Sequence, residues 1–208
     1  DLDTVKAMTD AFIVGGGTYF DTAYTYLDGR SEDAIREAMV ERYPREAYQL
    51  ATKIPGYYAK SYEDCFRYFE ESAKKCGVDY FDVYMLHWMN EEHYRIAQEQ
   101  RQFDFLKELK RTGKAKRVGF SFHDTADLLD RILTEHPEVD CVLLQINYLD
   151  WESPAIQSRL CYETALRHGK SVIVMEPVKG GRLAKVPEKA ESVLRKIDPR
   201  ESPADLAF

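Results

Sequence analysis

Short apolar runs and longer segments with helical spacing alternate along the whole chain. The short runs are rich in β-branched and aromatic residues, which favours strands over helices. Because these strands are mostly apolar and are separated by helices, we expect a parallel sheet that is covered by helices. Six strands are predicted, at residues 18–23, 48–54, 81–88, 117–122, 141–147 and 171–177.

About seven helices are predicted around these strands, at residues 3–14, 32–41, 61–75, 103–111, 125–133 and 158–167 and from residue 202 onward. Ser31 is the expected N-cap of the second helix, and Ser61 is expected to open the third. Residues 90–102 form a long polar stretch before a helix, and residues 179–201 form a charged segment. Ser202 precedes a proline that suits the first position of a final helix.

This alternation predicts an α/β fold, and specifically an incomplete (β/α)8 barrel, or TIM barrel, with about six of its eight strands present. The chain opens on a helix and ends inside another, whereas a complete barrel has a strand before the first helix and after the last. We therefore expect a single-domain barrel fragment over residues 1–208, truncated at both ends. An open doubly wound sheet is the alternative, but Asp21-Thr22-Ala23 replaces the glycine-rich turn of that fold.

A polar residue closes each predicted strand, at intervals of 32, 34, 34, 24 and 31 residues along the chain. These intervals are about the length of one strand–loop–helix unit. Parallel barrels assemble their active sites from the C-terminal ends of successive strands, so the six residues are candidates for one site. They are Asp21, Lys53, His87, Ser121, Gln145 and Glu176.

The composition narrows the possible partners and location. The chain has 44% hydrophobic and 31% charged residues and a net charge of −7, so a general nucleic-acid binder is not expected. Neither a membrane-spanning run nor a signal-peptide pattern is present, and we expect a cytoplasmic protein without a membrane partner. The cysteines have no metal-site spacing, so we expect four reduced thiols and no metal ion. They are Cys65, Cys76, Cys141 and Cys161.

Three of these polar residues, together with Tyr26, suggest a carbonyl-reduction site. A phenol such as that of Tyr26 is a poor acid, with an ordinary pKa of about 10. A cation about 4 Å away is worth roughly 4 kcal/mol at an effective dielectric near 20, or about three pKa units. A buried Lys53 is therefore expected to help Tyr26 protonate an alkoxide. Asp21 would keep Lys53 charged, and His87 could hydrogen-bond the carbonyl oxygen.

Three segments carry these residues in a recognisable order. Residues 17–26 read GTYFDTAYTY, residues 50–53 read LATK and residues 82–87 read DVYMLH. Together they resemble the signatures of the aldo-keto reductase family, and the resemblance covers essentially the whole chain. It implies an NAD(P)H-dependent oxidoreductase that acts on a small-molecule aldehyde or ketone. The residues that match the family's catalytic tetrad are Asp21, Tyr26, Lys53 and His87.

The second half of the chain resembles the strands that hold the nicotinamide in this family. Residues 119–121 read GFS, and their resemblance to the family implies that Ser121 and Gln145 bind the carboxamide. Phe122 stands where the family usually has an asparagine. Trp88, which follows His87, either lines the substrate pocket or packs in the core. The other expected cofactor-binding residues are Met175, Glu176, Pro177 and Gly180.

Two further motifs look more like one bacterial and archaeal branch of the family. Residues 120–124 read FSFHD and residues 175–181 read MEPVKGG. That branch often carries a C-terminal ferredoxin-like extension with clustered cysteines, which this chain lacks. The cofactor is therefore expected to be NADPH or NADH, with an iron–sulfur cluster only in an extension outside this sequence.

Two other functions remain open from the sequence. The first is a binding or regulatory subunit of the same fold that holds the cofactor but turns over slowly. The second is an aldolase barrel that forms a Schiff base at Lys53. The remaining histidines, His93, His136 and His168, are expected at the surface.

Overall fold

Strands and helices alternate along the chain in the computed structural model, which describes all 208 residues. The strands are β1 (Tyr19–Asp21), β2 (Gln49–Ile54), β3 (Phe81–Met89), β4 (Ala115–Phe122), β5 (Cys141–Gln145) and β6 (Ser171–Met175). The helices are α1 (Leu2–Val14), α2 (Ser31–Ile35), α3 (Tyr62–Cys76), α4 (Glu91–Glu99), α5 (Gln102–Arg111), α6 (Ala126–Glu135), α7 (Ser158–Arg167) and α8 (Glu188–Leu194). The predicted α/β class and the six strands of an incomplete (β/α)8 barrel are confirmed.

The six strands belong to one sheet and follow one another in chain order, from β1 to β6. Strand β2 runs parallel to both β1 and β3, with Asp21 opposite Ala51 and Lys53 opposite Met85. Adjacent parallel strands end at the same edge of a sheet. The register therefore brings Asp21 and Lys53 to one edge, and His87 follows near the end of β3.

Two compact units can be distinguished in the chain, Asp1–Ser121 with His136–Cys141 and Phe122–Glu135 with Val142–Phe208. In the first unit, Phe69, Phe81 and Tyr84 are fully buried and pack with ring centroids 5.2–5.8 Å apart. In the second unit, apolar residues of α6, β5 and α7 are buried. The single domain expected over residues 1–208 stays a prediction.

Two helices lie in segments where the sequence predicted none. Helix α4 occupies the polar stretch, with the Asn90 side chain accepting the N–H of His93 at 2.9 Å as its N-cap. Its buried residues are only Tyr94 and Ala97, three positions apart, so the apolar stripe is narrow. Helix α8 lies in the charged segment and has no buried residue, and hence no apolar face to reveal it.

Two predicted helix starts differ from the structure. Ser31 is the first residue of α2 rather than its N-cap, and its hydroxyl lies 2.8 Å from that of Thr22. This helix is short and continues as a π-helical turn at Arg36–Val40. The final helix expected from Ser202 is only a 3-10 turn, Asp205–Ala207. Helix α3 opens at Ser61 as expected, and the Ser61 hydroxyl accepts the N–H of Asp64 as the N-cap.

A buried carboxylate, that of Asp82, lies at the N-terminal ends of the first strands, opposite the edge that carries Asp21 and Lys53. Asp82, near the start of β3, accepts bonds from Arg45 Nη2 at 2.5 Å, Lys116 Nζ at 2.8 Å and the Leu50 N–H at 2.9 Å. Burial opposes ionisation of this side chain, but the three donors together hold the pKa of Asp82 below its usual value of 3.8. The ionised carboxylate therefore stabilises the folded state at neutral pH.

Asp82→Asn should lower the free energy of unfolding by about 1.5–3 kcal/mol at pH 7, because charge-assisted hydrogen bonds are lost. The pKa of Asp82 is lower in the folded than in the unfolded state, so the stabilisation is present above the unfolded value of 3.8. It should disappear as the pH falls through the folded-state pKa. Urea unfolding at several pH values measures this. The exposed Asp79→Asn serves as control, and equal stability of wild type and Asp82→Asn at pH 7 would refute the role.

Candidate active site

Lys53 is the most deeply buried charged group at the C-terminal edge of the first strands. It lies at the end of β2 and is 0% exposed, which is costly for an ammonium unless it is paired. Its Nζ pairs with the Asp21 carboxylate and donates to the Thr22 carbonyl at 2.8 Å. Burial raises the pKa of Asp21, and the Lys53 ammonium opposes that rise. These contacts hold the Lys53 ammonium in a fixed position at the end of β1.

Tyr26 lies in the turn that follows β1. The turn is made by three consecutive left-handed residues, Leu27, Asp28 and Gly29, with φ between 53° and 81°. The Tyr26 ring centroid is 4.6 Å from Lys53 Nζ. Tyr26 remains accessible to solvent, since 38% of this residue is exposed.

His87 completes the group from β3. Its ring meets that of Tyr26 nearly edge-on, with centroids 5.4 Å apart and an interplanar angle of 79°. The structure thus brings Asp21, Tyr26, Lys53 and His87 together within the first unit. The arrangement places a partly exposed phenol between a buried cation and an imidazole, which suits proton donation to a bound oxygen.

Trp88 follows His87 in a left-handed backbone conformation, with φ of 61°. Its backbone N–H donates to Ser121 Oγ at 2.7 Å, and its backbone carbonyl lies 2.6 Å from His93 Nδ1. A left-handed conformation is unfavourable for a bulky residue and persists when its surroundings hold it. Trp88 as a residue is 49% exposed.

Two aromatic residues of this region, Tyr57 and His93, were not among the site residues predicted from the sequence. Tyr57, in the loop after Lys53, stacks on His93 with centroids 4.7 Å apart and meets Trp88 edge-on at 5.9 Å. His93, which was expected at the surface, is half-buried between these rings. His136 is also half-buried, stacked on Phe103 at 3.6 Å. The one sequence signal for Tyr57 was its position shortly after the strand that carries Lys53.

Ser121 lies at the end of β4 and is almost completely buried. Its oxygen accepts the Trp88 N–H, which leaves the hydroxyl proton available for a further acceptor. Phe122, the residue that replaces the family's usual asparagine, is buried as well.

In the second unit, Gln145 closes β5 beside a small cavity. Its carbonyl accepts the Ser158 hydroxyl at 2.7 Å, and its side-chain Nε2 donates to Asp150 Oδ2 at 2.8 Å. The cavity has a volume of about 80 Å³, and its lining includes Gln145, Ser158 and Cys161. The bond to Asp150 therefore orients the side-chain amide of Gln145, and Gln145 also borders the cavity.

The end of β6 and the loop after it carry the other expected cofactor-binding residues. Met175 and Pro177 are half-buried, and Glu176 and Gly180 are exposed. Glu176 has a left-handed φ of 58°, and its carbonyl accepts the Asn147 side-chain N–H at 3.1 Å. Sequence reasoning did not single out Asn147, Asp150 or Lys179, although their side chains organise this region.

Three observations concern metals, membranes and thiols. No group of three or more histidine, cysteine, aspartate or glutamate residues is placed to hold a metal ion. None of the helices has both the length and the apolar character needed to cross a bilayer. All four cysteines are buried and unpaired with one another.

Comparisons with known proteins give relatives of two kinds. A protein of Staphylococcus phage phiMR25 that bears the name of a tail protein is 30% identical over 155 residues, 67% of this chain and 76% of that protein. Glycerol 2-dehydrogenase (NADP(+)) of Saccharomyces cerevisiae is 27% identical over 154 residues, 61% of this chain and 47% of that enzyme. The chain therefore spans about half the length of the yeast enzyme.

A solved structure and a family pattern extend the similarity over nearly the whole chain. The crystal structure of an aldo/keto reductase from Klebsiella pneumoniae in complex with NADP and acetate superposes with a TM-score of 0.76 and 23% identity. It covers 98% of this chain and 69% of that one, and it shows the shared fold. The sequence pattern of the Aldo/keto reductase family matches residues 1–204, and the chain therefore belongs to the aldo/keto reductase family.

Proposed function

We propose that this protein reduces an aldehyde or ketone with a nicotinamide dinucleotide as hydride donor and with Tyr26 as the general acid. The observation that carries the proposal is the buried, ion-paired Lys53 with its Nζ 4.6 Å from the Tyr26 ring centroid. Membership of the aldo/keto reductase family supports the same reaction. The reaction, its substrate and its partners are proposed for the whole protein.

Each of the four residues has a separate task in this proposal. Tyr26 donates its phenolic proton to the oxygen of the carbonyl as that oxygen gains negative charge. Lys53 stabilises the phenolate that remains, since a cation near a developing anion lowers its energy. Asp21 holds Lys53 in place, and His87 hydrogen-bonds the carbonyl oxygen and orients it toward Tyr26.

The cofactor is proposed to be NADPH or NADH, and when bound it supplies the hydride. Ser121 retains a hydroxyl proton and Gln145 has an oriented amide, so their chemistry fits a carboxamide. The yeast relative is named for NADP(+), which favours NADPH. An iron–sulfur cluster, expected only outside this sequence, has no part in the proposal. The remaining residues proposed to hold the cofactor are Met175, Glu176, Pro177 and Gly180.

Trp88 is proposed to line the substrate pocket rather than the core. Its indole is exposed beside His87, and its backbone is held by Ser121 and His93. A small-molecule carbonyl compound bound at His87 would lie against this indole.

The ion pair of Lys53 disfavours the aldolase alternative. Schiff-base formation requires an amine without its extra proton, and lysines that perform it are desolvated or placed beside another cation. Lys53 instead has a carboxylate partner and a carbonyl acceptor. Both contacts are made by the hydrogen atoms of an ammonium, which has no lone pair with which to attack a carbonyl.

Titration of NADPH fluorescence should show saturable binding by the protein. Gln145→Met should weaken that binding by about 2- to 10-fold, the equivalent of one hydrogen bond of 0.5–1.5 kcal/mol. The exposed Asp127→Asn is the control and should bind as the wild type does. If the folded protein did not bind either NADPH or NADH, the oxidoreductase proposal would be lost. Binding without carbonyl turnover would instead favour a cofactor-holding subunit.

A further inference from the structure

A buried carboxylate in the second unit gathers more donors than any neighbouring group. The Asp150 side chain is 8% exposed. Its Oδ2 accepts from Gln145 Nε2 and Asn147 Nδ2, both at 2.8 Å, and from Lys179 Nζ at 2.6 Å. Its Oδ1 accepts from the same Lys179 Nζ at 2.6 Å. None of the residues in this network other than Gln145 was a candidate from the sequence.

The network determines which end of the Gln145 side-chain amide, the NH2 group or Oε1, faces Asp150. An ionised carboxylate can only accept hydrogen bonds, so the amide must present its NH2 group to Asp150. Burial opposes ionisation of this carboxyl, but Lys179, Gln145 and Asn147 hold the pKa of Asp150 below its usual value. At neutral pH the carboxylate is therefore ionised, and Gln145 Oε1 is the end of the amide left to accept a bond from elsewhere.

The same network joins the loop after β5 to the loop after β6, which carries other proposed cofactor-binding residues. Asp150 and Asn147 follow β5, whereas Lys179 follows β6. Asn147 donates to Asp150 and also to the carbonyl of Glu176, the left-handed residue after β6. The position of the Gln145 amide is consequently tied to the loop of residues 176–180.

We propose that Asp150 is a positioning residue that orients the Gln145 amide to accept a hydrogen bond from the NH2 group of a carboxamide. The ligand it selects is thus a pyridine nucleotide whose ring carries an unsubstituted amide. Lys179 neutralises the buried charge of Asp150 and anchors the second loop. The inference rests on the proposed function, because it takes Gln145 to be a residue that contacts the cofactor.

The test compares NADP⁺ with its 3-acetylpyridine analogue, which keeps the carbonyl but has a methyl group in place of NH2. Dissociation constants are measured by calorimetry for the folded protein. The wild type should bind NADP⁺ about 2- to 10-fold more tightly than the analogue, because only NADP⁺ offers the donor. In Asp150→Asn, NADP⁺ and the analogue should bind with nearly equal affinity. An asparagine side chain can either accept from or donate to the Gln145 amide, so it no longer selects one orientation of that amide.

Two further variants separate positioning from general loosening of the loops. Lys179→Met keeps the carboxylate and should keep the nucleotide preference, even if both nucleotides bind more weakly. Gln145→Met should lose the preference, and the double variant with Asp150→Asn should lose no more. If Asp150→Asn does not fold, Asp150→Ser replaces it, because a hydroxyl is also both donor and acceptor.

The outcomes distinguish this inference from the proposed function. If the folded wild type bound neither nucleotide, the proposed function and the positioning role would fall together. If it bound both with equal affinity, or if Asp150→Asn kept the wild-type preference, only the positioning role would be overturned. Equal weakening of both nucleotides in Asp150→Asn, with the preference unchanged, would show a merely structural residue.

Discussion

Tyr26→Phe should lower carbonyl reduction by roughly 10²–10⁴-fold and leave cofactor binding nearly unchanged. The substitution removes only the phenolic proton donor, while the ring that lies beside Lys53 and His87 remains. The loss should therefore appear mainly in kcat, with a small effect on the dissociation constant of NADPH. Steady-state kinetics with an aldehyde and fluorescence titration measure the two quantities.

Tyr58→Phe is a matched control for this prediction. Tyr58 is a neighbouring tyrosine that is 62% exposed, and it contacts the ring of Tyr57 rather than Lys53. It should retain near wild-type kinetics. If Tyr26→Phe kept full activity, another group would have to donate the proton, and His87 would be the first candidate.

Lys53→Met should reduce carbonyl reduction about as severely, because the phenolate formed at Tyr26 would lose its cationic neighbour. It should also destabilise the fold, since it leaves the Asp21 carboxylate without its ammonium partner. Loss of one partner of a buried pair costs roughly 3–5 kcal/mol, and Asp21 retains 28% exposure, so the lower end is expected. Chemical denaturation and kcat/KM measure the two effects.

The double variant Asp21→Asn with Lys53→Met separates stability from catalysis. Removal of both charges should restore most of the lost stability, because no unpaired carboxylate remains. Activity should stay at the level of Lys53→Met. A double variant that regained activity, or a single variant that never lost it, would show that the cation has no role in the chemistry.

The helices show where sequence patterns are sufficient and where they are not. Helix α7 was predicted with its correct bounds, because its buried residues recur three to four positions apart, as at Ser158, Cys161 and Ala165. Helix α4 has only two buried residues and α8 has none, so their polar sequences resemble loops. Ser31 was read as an N-cap because serine often has that role, but its hydroxyl is instead close to that of Thr22.

The sequence by itself determined the group of four proposed catalytic residues. Asp21, Lys53 and His87 each close a strand, and parallel strands with a regular register end at the same edge of the sheet. Tyr26 follows five residues after Asp21, within reach of that edge. Strand order and spacing are encoded locally, which is why no knowledge of side-chain packing was needed to place these residues together.

Only the tertiary structure decided which side chains surround and orient that chemistry. The stack of Tyr57 on His93 joins the turn after β2 to α4, and the bond from Lys179 to Asp150 joins the loops after β6 and β5. Loops have no periodic pattern, and a buried carboxylate attracts donors according to their distance and not to their place in the chain. The partners of Trp88 and Gln145 therefore depended on the tertiary structure.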